Sequence, residues 1–291
     1  MNRPIVATRQ LSQRVDTHAH VFSTSLPLAV ERRYAPDYDA PLDAYLGLLD
    51  AHDIGNAVLV QPSFLGTDNS CLLRALAGNQ GRLKGVAVVS PDVSREALLN
   101  MSMAGVAGIR LNLVQQAYPD VGNPSYANLW RWLGDLGYHV ELHREAADIA
   151  PLIQLLLDTG LPVVVDHFGR PDPQQGTNDP GFKNLLRFGP SGRVWVKVSG
   201  AYRCAARGSN FIYDATAQLL DAFGPEHLMW GSDWPHTQFE QVANYSDTLS
   251  NLLDLNLNKA ILDAMLCSTA QSFYRFAKEP TGKKTLTTSI S

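Results

Sequence analysis

A single (β/α)8 barrel is the fold this sequence predicts, and three observations predict it. Eight apolar runs of strand length alternate with helical stretches, the pattern of parallel strands joined by right-handed helical crossovers. The chain has 291 residues, within the range of an α/β barrel. Residues able to do chemistry recur where the runs end, which is the rim at which barrel active sites lie. An open doubly wound sheet is the runner-up. Against it, no GxGxxG follows an early strand and no P-loop motif is present.

The first run is Val15–His20, followed by a loop rich in Tyr, Pro and Arg and then a helix over Pro41–Asp53. Proline suits the first turn of that helix, where its missing N–H costs nothing. Strand two is Ala57–Gln61, with a helix near Asn69–Asn79; strand three is Gly85–Val89, with a helix from about Arg95 to Ala104. Strand four, Gly108–Leu113, leads through a loop to the helix Ala127–Leu136. Strand five is Tyr138–His143, and its helix Ala146–Asp158 stops at Gly160, a helix-ending residue. Strand six is Pro162–His167, after which the Pro-, Gly- and Asp-dense stretch Gly169–Pro180 reads as a long surface loop beside the pocket. Strand seven is Val194–Ser199, a helix covers Phe211–Phe223, and strand eight is Leu228–Asp233. Helices over Gln241–Leu253 and Lys259–Phe276 close the chain. The expected organisation is a flexible arm (1–14), one barrel (15–277) and a disordered polar tail (278–291).

Composition narrows the function. Hydrophobic residues make up 45% and charged residues 18%, as in a well-packed domain. A net charge of −4 argues against nucleic acid or an anionic membrane as a general partner. The three cysteines, Cys71, Cys204 and Cys267, form no CxxC pair, which excludes a disulfide framework and a thiolate zinc site and suits a reducing compartment. With no signal-peptide core and no membrane-length apolar run, the expected location is the cytoplasm.

Strand parity adds a second layer. Alternate residues share a face, and one face collects Asp16, His18 and His20; Gln61; Arg110 and Asn112; and His139, Glu141 and His143. His167, then Lys197 and Ser199, then Asp233 continue it, whereas the other face is mostly Val, Leu, Ile and Ala. His18, His20, His143, His167 and Asp233 therefore become a candidate convergent site. Imidazole nitrogens with one carboxylate suit Zn2+, Mn2+ or Fe2+. Taken singly, each histidine reads sooner as a hydrogen-bonded core residue than as a ligand; together at one rim they read as a site.

The segments DTHAHVF, VQPSFLGTDN, GIRLN, DHFGRPD, VKVSGAYR and GSDWPH resemble the amidohydrolase superfamily, in particular its 2-pyrone-4,6-dicarboxylate lactonase-like branch. The resemblance spans about Val15 to Ala277. It implies hydrolysis of an ester or lactone by activated water. On that basis Asp233 is the general base, and His18, His20 and His167 polarise the carbonyl directly or through a metal. Arg110, Arg170 and Arg203 match carboxylate-binding positions, with Tyr34, Ser63 and His236 as further substrate contacts. Two departures stand out. His143 replaces a tyrosine of a branch that works without metal, which makes the set HxH, His, His, Asp and points to His18, His20, His143 and Asp233 around one divalent Zn or Mn ion, or to none. Gln116 stands where the branch carries another arginine.

The sequence thus predicts an enzyme whose partner is a small anionic lactone, with self-association into a homo-oligomer as a further option. A metal-dependent decarboxylase or hydratase of a small unsaturated acid is the alternative, and a non-enzymatic binding barrel a third. Lys197 reads as an acid, a carboxylate partner or a buried structural charge. His139 reads as structural, and His52 and His227 as surface residues.

Overall fold

The computed structural model describes residues 12–117, 120–205 and 209–276. The expected tail (278–291) and the first 11 residues of the expected arm lie outside them.

Eight parallel strands pair in sequence order: β1 (Val15–Ala19), β2 (Asn56–Val60), β3 (Leu83–Ala87), β4 (Val106–Asn112), β5 (His139–His143), β6 (Val163–Val165), β7 (Val194–Val198) and β8 (Leu228–Trp230). The seam between β8 and β1 is closed just beyond β8, where Asp233 N donates to His18 O and His20 N to Trp234 O, each at 2.8 Å. The result is the expected barrel.

The helices are α1 (Leu42–Ala51), α2 (Ser70–Ala77), α3 (Arg95–Met103), α4 (Ala127–Leu136), α5 (Ala146–Asp158), α6 (Pro180–Leu186), α7 (Phe211–Phe223), α8 (Tyr245–Leu253), α9 (Lys259–Asp263) and α10 (Thr269–Phe273). Several starts are set by short polar side chains that accept the otherwise orphaned first-turn N–H groups. Ser94 accepts from Ala97 N, Asp179 from Gly181 N, Asn244 from Asp247 N and Asn258 from Ile261 N. Helix α6 was not expected: only seven residues long, it carries too little periodic pattern to be seen behind the loop that precedes it. The single helix expected over Lys259–Phe276 is instead α9 and α10 separated by a wider π turn at Ala264–Ser268.

The barrel interior is layered. Its floor is apolar, with Val15, Val58, Val86, Val164 and Met229 packed against Ala270, Tyr274 and Phe276 at the chain's end. His139 belongs to this floor, its ring 5.0 Å from Phe273 and 5.5 Å from Tyr274. The space for that ring comes from Gly108, where a Cβ would lie 2.4 Å from it. Outside the sheet, Leu59, Leu142, Val165 and Val196 meet Leu49, Leu76, Leu133, Leu152 and Leu219 of the helices.

Strict parity fails at three places. The β1–β2 register shifts between Asp16 and Ala19, so Val15 joins the interior cluster and Ala19 the helix-side one. Asp16 therefore does not share a face with His18 and His20. Its carboxylate accepts from Tyr45 Oη (2.9 Å) on α1 and from Ser232 N (2.8 Å) and Oγ (2.6 Å), tying the seam. On β2 the interior residues are Val58 and Val60, which turns Gln61 outward to donate to Gly66 O and Asp68 O. On β6 the interior residue is Val164, followed by Asp166; His167 reaches the site only through a turn at φ +48°. Among the described residues no helix is long and apolar enough to cross a membrane.

Candidate active site

A cavity of about 200 Å³ opens at the rim formed by the strands' C-terminal ends. It gathers His20, His143, His167, Asp233, Arg110, Arg170, Arg203, Tyr34 and Ser63 among its lining residues. His18 lies fully buried just beneath, and His236 is buried beside Asp233, its Nδ1 3.2 Å from Asp233 O.

Asp233 sits three residues past β8 at φ +60°. Its Oδ2 accepts from Tyr202 Oη and Arg203 Nε, both at 2.6 Å. Its Oδ1 has no hydrogen-bond partner, although it is buried. Three imidazole Nε2 atoms surround that oxygen: His20 at 3.6 Å, His167 at 3.8 Å and His18 at 3.9 Å. Burial opposes the charge on Asp233, but Arg203 and then His167 outweigh it, so the carboxyl is held well below its usual value. Burial also drives the His167 pKa down to about 3 and holds His18 and His143 well below the usual imidazole value. These three rings are neutral at pH 7.

The outer nitrogens of the histidines are held from behind. His20 Nδ1 lies 2.7 Å from Val60 O; a carbonyl only accepts, so Nδ1 carries a proton and the neutral ring presents its lone pair at Nε2. His167 Nδ1 meets Ser199 Oγ at 2.8 Å. His18 Nδ1 has neighbours of opposite demand, Lys197 Nζ at 3.1 Å against Asp166 Oδ1 at 3.3 Å and Glu141 Oε1 at 3.5 Å. Below them runs a fully buried ionic layer, in which Lys197 binds Glu141 and Arg110 binds Asp166 through Nε (3.0 Å) and Nη2 (2.7 Å). Burial and the nearby Asp166 push Glu141 up to about 8, whereas Asp166 is depressed because Arg110, His18 and Lys197 together outweigh its desolvation.

Two buried donor sets have the spacing for a cation: His18, His20 and Asp233, and His18, Asp166 and His167. Tetrahedral zinc bonds of about 2.0–2.2 Å place neighbouring ligand atoms about 3.3–3.6 Å apart. The Nε2–Oδ1 distances of 3.6–3.9 Å are only slightly wider, and the unpartnered His18 Nε2 and Asp233 Oδ1 fit such a group. His143 is in neither set. Neither of its ring nitrogens is bonded, and its ring lies 5.1 Å from that of His167.

Sequence reasoning missed Asp166, Tyr202 and Arg33 as site residues. Asp166 was hidden by the register of β6, although DHFGR contains it. Tyr202 stands inside SGAYR, beside an arginine that was seen. Arg33 comes from the irregular loop before α1, for which period offers no guide.

By class, the chain belongs to the amidohydrolase family, whose profile matches residues 15–276. Three similar proteins narrow the neighbourhood. The 4-sulfomuconolactone hydrolase of Hydrogenophaga intermedia is 31% identical over 82% of this chain and 81% of its own. The 2-pyrone-4,6-dicarboxylate hydrolase of Comamonas testosteroni is 32% identical over 76% of each chain. A solved Pseudomonas putida structure, assigned as a 2-pyrone-4,6-dicarboxylic acid hydrolase, is 46% identical, covers 92% of this chain and 99% of its own, and superposes with a TM-score of 0.86.

Proposed function

We propose that this protein hydrolyses a small carboxylated lactone, with Asp233 as general base. The observation that carries the proposal is the asymmetry of Asp233: one oxygen anchored by Arg203 and Tyr202, the other bare among three imidazoles. An ionised carboxylate with a free oxygen at a cavity wall accepts a proton from water. The attacking hydroxyl oxygen joins the lactone carbonyl carbon. The ring C–O bond breaks as the tetrahedral adduct collapses, and Asp233 returns its proton to the departing ring oxygen. The products are the ring-opened acid and its hydroxyl or enol.

Charge growing on the carbonyl oxygen needs donors in place beforehand. Lys197 donating to His18 Nδ1 leaves a proton on Nε2, 3.9 Å from Asp233 Oδ1 just beneath the cavity. Ser199 donating to His167 Nδ1 does the same there. If Asp166 instead accepts from His18 Nδ1–H and Ser199 Oγ from His167 Nδ1–H, both Nε2 atoms carry lone pairs, and His18, His20, His167 and Asp233 would hold one divalent ion of the zinc or manganese kind. Such an ion supplies Lewis-acid polarisation of the carbonyl and a more acidic water. The substrate carboxylate is taken by guanidinium, for which Arg170 and the free Nη1 atoms of Arg110 and Arg203 are available. Tyr34, Ser63 and His236 complete the surroundings as substrate contacts.

Both curated relatives described above bear lactone hydrolase names, which favours hydrolysis over the decarboxylase or hydratase alternative. The test is a pH-indicator screen of carboxylated lactones with chelator-treated and zinc- or manganese-supplemented protein, beside Asp233→Asn. Acid release that disappears in the variant supports the proposal. Silence across the panel in every metal state, or release of CO2 without ring opening, sinks it.

A further inference from the structure

Four guanidiniums face the cavity, and their partners differ. Arg110 spends Nε and Nη2 on Asp166. Arg203 spends Nε on Asp233 and Nη2 on Thr237 O at 3.1 Å. Arg33 and Arg170 make no side-chain hydrogen bond or ion pair among the described residues.

The charges leave a remainder. Asp233 is the one carboxylate among the lining residues and it is paired with Arg203. Asp166, beneath, is paired with Arg110. Glu145, an acid that acts on Arg170 from nearby, is engaged by Arg144 Nε at 3.5 Å and Gln115 N at 3.0 Å. Two positive charges remain unmatched, those of Arg33 and Arg170.

Arg33 is also held in place. It is half-buried on the loop between β1 and α1, with its guanidinium 5.7 Å from the Tyr34 ring centroid. Tyr34 Oη meets Thr237 Oγ1 at 3.0 Å, and Ala29 N donates to Phe64 O at 2.8 Å, so on either side of Arg33 the loop is tied to the segments that follow the neighbouring strands β8 and β2. Burial, and then Arg170, Arg110 and Arg203, disfavour its charge, as expected where like charges face one space without a counter-ion.

We propose that Arg33 is a specificity-determining residue that binds a second acid group, so that the preferred lactone is a dianion held between Arg33 and Arg170. The proposal rests on the lactone hydrolase reading and sharpens its substrate class. A guanidinium fork grips a carboxylate or sulfonate at two points, which an ammonium does not.

The test compares wild type, Arg33→Gln and Arg33→Lys on one lactone ring bearing two acid groups and on the same ring bearing one. Losing a charge-assisted contact lowers kcat/KM for the diacid about 10- to 100-fold in Arg33→Gln, mostly through KM, with less than about threefold change for the monoacid. Arg33→Lys recovers only part. Equal losses on both rings, or no loss on the diacid, overturn the proposal. Calorimetric binding of isophthalate and benzoate, which need no turnover, separates the two readings. Wild type prefers isophthalate and Arg33→Gln loses that preference. If no lactone is opened, only the hydrolase reading falls, whereas a wild type without preference for isophthalate, or a variant that keeps it, removes the Arg33 assignment.

Discussion

Arg203 Nε lies 2.6 Å from Oδ2 of Asp233, and the other oxygen of that carboxylate has no donor within hydrogen-bonding distance. The guanidinium thus fixes both the orientation and the charge of the group while leaving it one reactive edge.

Replacing Asp233 by Asn keeps the shape and removes the base. Lactone hydrolysis by Asp233→Asn is expected to fall by about 10²–10⁴ in kcat. The comparison is of initial rates at saturating lactone, with circular dichroism confirming the fold. A variant retaining a tenth of wild-type kcat would falsify the base assignment.

Arg203 sets where the acid limb of the rate profile lies. The reactive form of Asp233 is the carboxylate, present above its folded pKa, and that pKa is depressed. Wild-type activity therefore persists as pH falls through the ordinary aspartate value near 4. In Arg203→Gln the largest lowering influence is gone, the pKa rises, and the limb moves to higher pH. A kcat–pH curve with an unmoved acid limb contradicts this account. The same sign governs stability: a depressed carboxyl stabilises the fold above its unfolded pKa, and that contribution is lost as pH falls through the folded pKa.

Lys197 and Glu141 are both fully buried. Removing one partner of such a pair costs about 3–5 kcal/mol. Lys197→Met is expected at the low end, about 3 kcal/mol, because burial already raises the Glu141 pKa and the carboxyl is neutral once its partner is gone. Urea midpoints measure the loss. A loss below about 1 kcal/mol shows that the layer is not what braces the barrel interior.

The donor set around Asp233 Oδ1 predicts a cation-dependent melting temperature. Zinc at about 100 times its dissociation constant stabilises by about 2.7 kcal/mol, which raises Tm by about 4–5 °C in a chain of this size. His20→Ala and Asp233→Asn lose the shift, and His143→Ala, outside both donor sets, keeps it. Identical melting curves with zinc and with chelator for the wild type reject cation binding there.

Most of the barrel was legible because strand and helix periods are written into its apolar residues. His18 and His20 were legible as an HxH pair on a strand end, and Lys197 and Glu141 as charges at interior positions. Register was not. Whether Asp16 or Val15 faces inward depends on a shift between β1 and β2, which arises from pairing with a neighbour and leaves no trace in one strand's alternation. The same holds for Asp166 and His167, whose order of approach is decided by a turn. Arg33 lay outside any periodic element, and its relevance came from what its neighbours fail to offer it.

His167, Phe168, Arg170, Asp233 and His236 all adopt positive φ, a region that side-chain-bearing residues enter at a cost of order 1–3 kcal/mol each. Gly200 sits among them at φ +59°, where a Cβ would come 2.9 Å from His167 Nδ1 and 3.1 Å from Asp233 Oδ2. The reactive groups are therefore aimed by tightly wound corners and not by the ladder that supports them. Heat should release these corners before it opens the barrel. Catalysis would then fade on warming while far-ultraviolet ellipticity is still intact, and the gap between the two temperatures would gauge how much tension the rim stores.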